Sequence, residues 1–128
     1  MEKEKQTIEQ AWENRELLKA PEVRQAVDAA VQRLDRGEVR IAEKADGVWH
    51  VNEWLKKAVL LYFPLCGMKT VEAGPFEFYD KIPLKKDFAA KQVRVVPMAV
   101  ARYGAYLAPD VVLMPRSEER RVGKEGRS

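Results

Sequence analysis

The chain has 128 residues, 46% of them hydrophobic and 34% charged, which gives room for one ordinary globular domain and excludes disorder throughout. Its formal charge of +3 is unevenly spread: residues 116–128 hold five basic and three acidic side chains, against 18 and 17 in residues 1–115. So balanced a body lacks the clustered basic stripe of a nucleic-acid binder, and its strongest apolar run, Ala58 to Phe63, is too short to span a bilayer.

Met1 to Lys5 is charged and carries no apolar core of a signal peptide, so a cytoplasmic protein is expected. Ile8, Ala11, Trp12, Arg15 and Leu18 then recur at helical spacing, and Val23, Ala26, Val27, Ala30, Val31 and Leu34 repeat the pattern. Two amphipathic helices in a hairpin are predicted. Pro21 suits the first position of the second helix, where its missing N–H costs nothing, and Gly37 suits a left-handed C-cap.

Beyond Gly37 the period changes to two. Val39 and Ile41 alternate with polar neighbours, Asp46-Gly47 supplies a two-residue turn, and Trp49 and Val51 alternate on the return, which predicts a β-hairpin. Asn52 can cap a third helix through Trp54, Leu55, Ala58, Val59, Leu61 and Tyr62, which Pro64 is expected to stop. Gly67, Gly74, Pro75 and Pro83 punctuate short β-prone pieces at Thr70-Val71 and Phe76 to Tyr79. Leu84 to Lys91 reads as a surface loop or single helical turn, and Val93 to Val96 as a buried strand closed by Pro97.

From Val100 an aliphatic or aromatic residue recurs every six positions, at Val100, Tyr106 and Val112, and the pattern fails at Glu118. Repeats of six suggest coils of a parallel β-helix, and roughly three stacked units are needed before such repeats bury their own apolar face. Residues 116–128, with Val122 as the only aliphatic residue, are expected to be a disordered or foreign tail.

Few residues carry chemistry. His50 is the only histidine and Cys66 the only cysteine, so an intramolecular disulfide, a zinc site and a catalytic triad are all ruled against; no metal and no catalytic residue are expected. His50 is read as a half-exposed strand residue, Cys66 as a small buried hydrophobe, and Lys56-Lys57 as a pair that lays its stems on apolar surface and solvates its charges. Arg94 stands out. Flanked by Val93 and Val95, it points to the opposite face of its strand, where a guanidinium can grip a carboxylate through two parallel hydrogen bonds or hold a structural ion pair.

Three segments in the same order, RIAEKADGVWHVNEWLKKAVLLYF at 40–63, FYDKIPLK at 78–85 and VRVVPMAVARYGAYLAPDVVLMP at 93–115, closely resemble tetrahydrodipicolinate N-succinyltransferase. This resemblance implies an α+β chain: an N-terminal helical hairpin and small α/β substrate domain over 1–97, then the first coil of a truncated left-handed β-helix of hexapeptide repeats over 98–115. It implies succinyl transfer from succinyl-CoA to tetrahydrodipicolinate in lysine biosynthesis, by a homotrimer with active sites between subunits. No bound cofactor is implied, since succinyl-CoA is a co-substrate. Arg94 matches the family's substrate-binding arginine in RVVP, so a dicarboxylate is the expected partner, with no nucleic acid and no membrane. The family continues past VLMP into further coils that carry its catalytic carboxylates and coenzyme A groove, whereas this chain reads RSEERRVGKEGRS. The chain alone is therefore expected to be inactive. The alternative is a non-enzymatic assembly or binding module that uses the helical hairpin.

Overall fold

A computed structural model describes residues 1–115, and they form two compact units. The first comprises Met1–Pro83 together with Arg102–Tyr106; the second comprises Leu84–Ala101 and, among the described residues, 107–115.

Three helices build the first unit: α1 (Glu2–Glu13), α2 (Pro21–Asp35) and α3 (Glu53–Leu65). Their apolar stripes meet in one core of Ile8 and Ala11 from α1, Val27, Ala30 and Val31 from α2, and Leu55, Ala58 and Leu61 from α3. The alanines let the helix backbones approach closely, and Ile8, Val27, Leu55 and Leu61 are sealed from water. Polar ties hold the same helices from outside. Arg33 of α2 grips both carboxylate oxygens of Glu4 on α1, and Lys57 of α3 reaches Glu9 on α1 at 2.9 Å.

The helix ends follow the sequence closely in α2. Pro21 occupies the first turn, and Gly37 takes φ +76° while the N–H groups of Gly37 and Glu38 return to the carbonyls of Leu34 and Arg33 at 3.1 and 2.9 Å. That pair of bonds is a Schellman cap. α1 is shorter than its apolar spacing predicts, because Asn14 is extended (φ −132°) and its side chain accepts the Glu16 N–H; Arg15–Lys19 continues as a 3₁₀ turn. α3 runs through Pro64 to Leu65 instead of stopping at the proline, which sits in the last turn where only one backbone bond is lost. Asn52 precedes α3, but its side chain makes no capping bond and donates instead to the Arg40 carbonyl at 2.7 Å.

Two antiparallel hairpins extend the first unit. β1 (Ala42–Ala45) pairs with β2 (Val48–Val51) around Asp46-Gly47, both with positive φ as a type I′ turn requires. The strand starts later than the alternation suggests, because Val39 and Ile41 are drawn into packing against the helical core. β3 (Lys69–Ala73) pairs with β4 (Phe76–Asp80) around Gly74-Pro75. Opposed pairs Val71–Phe78 and Ala73–Phe76 put the apolar side chains of this hairpin on one face.

In the second unit, β5 (Arg94–Val95) pairs in parallel with β6 (Val112–Leu113), Arg94 opposite Val112 and Val95 opposite Leu113. The strand around Arg94 is shorter and more open than the sequence predicts: Val93 is buried, Val95 and Val96 are half-buried and Arg94 is exposed. Residues 116–128, the expected tail, lie outside the described residues.

Candidate functional site

Arg94 is fixed through its backbone. Its N–H donates to the Val111 carbonyl at 3.0 Å, the Val96 N–H to Leu113 at 3.0 Å, and the Asp110 N–H to Gln92 at 2.8 Å, so hydrogen bonds bracket the arginine on both sides. Gln92 and Asp110, which meet in the last of these, both adopt positive φ, at 58° and 68°. Met98 (82°) and Gly104 (104°) do the same, so a left-handed residue recurs at every sixth position from 92 to 110. Among the described residues the Arg94 guanidinium has no ion-pair partner. It is an exposed cation on an anchored backbone, free to accept a carboxylate.

The remaining sequence candidates have other employments. His50 is exposed on β2 opposite Glu43. Cys66 terminates α3 half-buried and takes a hydrogen bond from Tyr62. Lys57 is committed to Glu9 and lies 5.9 Å from the Trp12 ring centre, while Lys56 is exposed. The Glu9 hydrogen bond raises the Lys57 pKa above its ordinary value, partly offset by burial. Among the described residues no group of three or more His, Cys, Asp and Glu is placed to hold a metal ion.

One feature of the first unit has no single sequence signature. Between α2, α3 and residues 102–105 lies an open groove of about 290 Å³, walled by aliphatic side chains such as Val31, Val59 and Ile82 and by the rings of Tyr62, Phe63 and Tyr103. Arg102 borders it, ion-paired with Asp80 at 2.9 Å and lying 6.0 Å from the Phe63 ring centre. Burial is the main cause that raises both tyrosine pKa values; the Cys66 bond adds to it at Tyr62, and Asp35 and Asp28 add to it at Tyr103. Residues 102–106 are held there by the Tyr103 N–H on the Pro83 carbonyl at 2.8 Å and the Gly104 N–H on Asp35 Oδ1 at 2.9 Å.

Residues 3–65 match the family model described as tetrahydrodipicolinate N-succinyltransferase N-terminal. A protein of Burkholderia mallei (strain SAVP1), named 2,3,4,5-tetrahydropyridine-2,6-dicarboxylate N-succinyltransferase, is 50% identical over 121 residues. In this N-terminal portion the chain belongs to that family. Proteins of the same name from Burkholderia pseudomallei (strain K96243) and Paraburkholderia phymatum are 50% and 52% identical over 121 residues. Each alignment covers 86% of this chain and 44% of the relative, so the chain spans less than half the length of the succinyltransferases it matches. The family match reaches across all three helices and the first hairpin, while Arg94 lies beyond it in the part covered by the longer alignments.

Proposed function

We propose that this chain is the substrate-binding N-terminal portion of an N-succinyltransferase, and that Arg94 holds one carboxylate of a cyclic dicarboxylate such as tetrahydrodipicolinate. The observation that carries the reading is an unpaired guanidinium whose backbone is hydrogen-bonded to residues 110–113 before, at and after Arg94, since a planar cation with a fixed backbone can meet a carboxylate with two parallel bonds. In this reading the whole protein transfers succinyl from succinyl-CoA in lysine biosynthesis, in the cytoplasm and as a homotrimer. The substrate domain occupies 1–97, and 98–115 begins the hexapeptide β-helix. Two backbone features support a β-helical coil in this stretch, and both begin a few residues ahead of 98: paired residues 18 positions apart in parallel strands from Arg94, and left-handed residues at steps of six from Gln92. Eighteen residues per rung is three hexads, the length of one three-sided coil.

The chain alone supplies a carboxylate grip and no acyl-transfer machinery. Pimelate, a linear dicarboxylate, should bind and perturb the amide signals around 92–96, and Arg94→Met should abolish those shifts. Incubation with succinyl-CoA and tetrahydrodipicolinate should release no free thiol. Pimelate shifts that persist in Arg94→Met would defeat the assignment of Arg94, and thiol release would defeat the claim that the chain lacks the transfer apparatus.

A further inference from the structure

We propose that the groove of the first unit is a binding site for a compact apolar acid, with its ring or branched body against Tyr62, Phe63 and Tyr103 and its carboxylate on Arg102. The groove approaches the lower end of the volumes that hold small ligands, and its wall is apolar with a few convergent polar groups, as such sites usually are. Its chemistry selects the ligand. Among the described residues, the only polar side chains along it are Arg102, Tyr62 and Tyr103, and no carboxylate, amide or aliphatic hydroxyl lines it. Arg102 can only donate, and Asp80 engages one end of its fork, Nη2, which leaves further N–H groups for a second acceptor.

Both phenols are protonated donors at neutral pH, and burial raises their pKa values further. Tyr62 already serves Cys66, and Asp35 and Asp28 press on Tyr103 with the charge an acid would bring, so the carboxylate belongs to Arg102. An apolar ligand that carries an acceptor satisfies this lining; a cation would meet Arg102 as a like charge, and a polyol would leave hydroxyls unpaired against the apolar wall. Every described residue along the groove belongs to the first unit, whereas Arg94 belongs to the second.

The probe is 2-naphthoate, with 2-naphthylmethanol as its uncharged counterpart, titrated into the 128-residue chain and followed by amide chemical shifts. Saturable shifts at Val59, Tyr62, Phe63 and 102–105 are expected. Arg102→Leu should weaken naphthoate about tenfold while leaving the alcohol unchanged, and Val59→Trp, which fills the groove, should abolish both. Arg94→Met should leave naphthoate binding intact. Circular dichroism establishes that each variant is folded, and Val59→Trp decides the matter if Arg102→Leu is not. The proposal is overturned by absence of saturable shifts in the groove, by naphthoate binding that survives Val59→Trp, or by equal naphthoate affinity in a folded Arg102→Leu.

Discussion

The ring of Tyr106 occupies the space that a side chain on Gly37 would need: a β-carbon built on the glycine would lie 2.7 Å from Tyr106 Cδ1. Gly37 also ends α2 with φ +76°. Gly37→Ala therefore meets two penalties, about 1–2 kcal/mol for a left-handed non-glycine residue and a displaced aromatic ring. The variant should lose at least about 2 kcal/mol in urea denaturation. In the Tyr106→Ala background the same substitution should cost only the backbone share, so the double-mutant cycle should show clear coupling.

The helical core and the hairpins should respond differently to truncation. Leu61 has no exposed surface and sits among all three helices, so Leu61→Ala should cost about 2–5 kcal/mol through lost transfer energy and a residual cavity. Val48 on β2 is 59% exposed, and Val48→Ala should stay within about 0.5 kcal/mol. Thermal melts of the two variants would test the contrast, and equal losses would contradict it.

Stability should decline at alkaline pH for three reasons that share a sign. Lys57, Tyr62 and Tyr103 all have pKa values raised above 10.5, 10.0 and 10.0 respectively. The folded protein thus retains protons that the unfolded chain releases, and stability present below pH 10 is lost as pH rises past it. Tyr103→Phe removes one such group, so its stability should fall less steeply between pH 9.5 and about 11 than that of the parent. Denaturation midpoints across that interval are the measurement, and parallel profiles would count against a buried phenol.

Met98 carries a bulky side chain at φ +82°. Met98→Gly should relieve the left-handed strain and stabilise the chain by up to about 1 kcal/mol, despite the added freedom of glycine in the unfolded state. Met98→Ala keeps the β-carbon and should show no such gain. A destabilised Met98→Gly would show that the side chain contributes more than its backbone costs.

Much of the helical part is legible in the sequence because its signals are local. Pro21 and Gly37 mark the ends of α2 by their own backbone preferences, and Asp46-Gly47 marks a turn whatever surrounds it. The shortening of α1 is less legible, since it depends on Asn14 choosing the Glu16 N–H over a further helical turn. Least legible is the attachment of 102–106 to the helices, which uses Asp35, Pro83, Gly37 and Asp80, all distant in sequence. The site divides the same way. Arg94 can be singled out from its apolar neighbours, whereas its exposure and its hydrogen-bonded bracket need the pairing with 111–113. The groove arises only when α2, α3 and 102–105 come together, so no motif announces it.

The partnership of Arg94 with Val112 constrains how this stretch can change length. Removing a single residue between them would rotate every later side chain onto the wrong side of its rung and break the Gln92 to Asp110 bond at its corner. Additions and losses here should come in blocks of eighteen, the separation of the paired residues. Each point change acts at its own position; a change in the count of residues acts on every position after it.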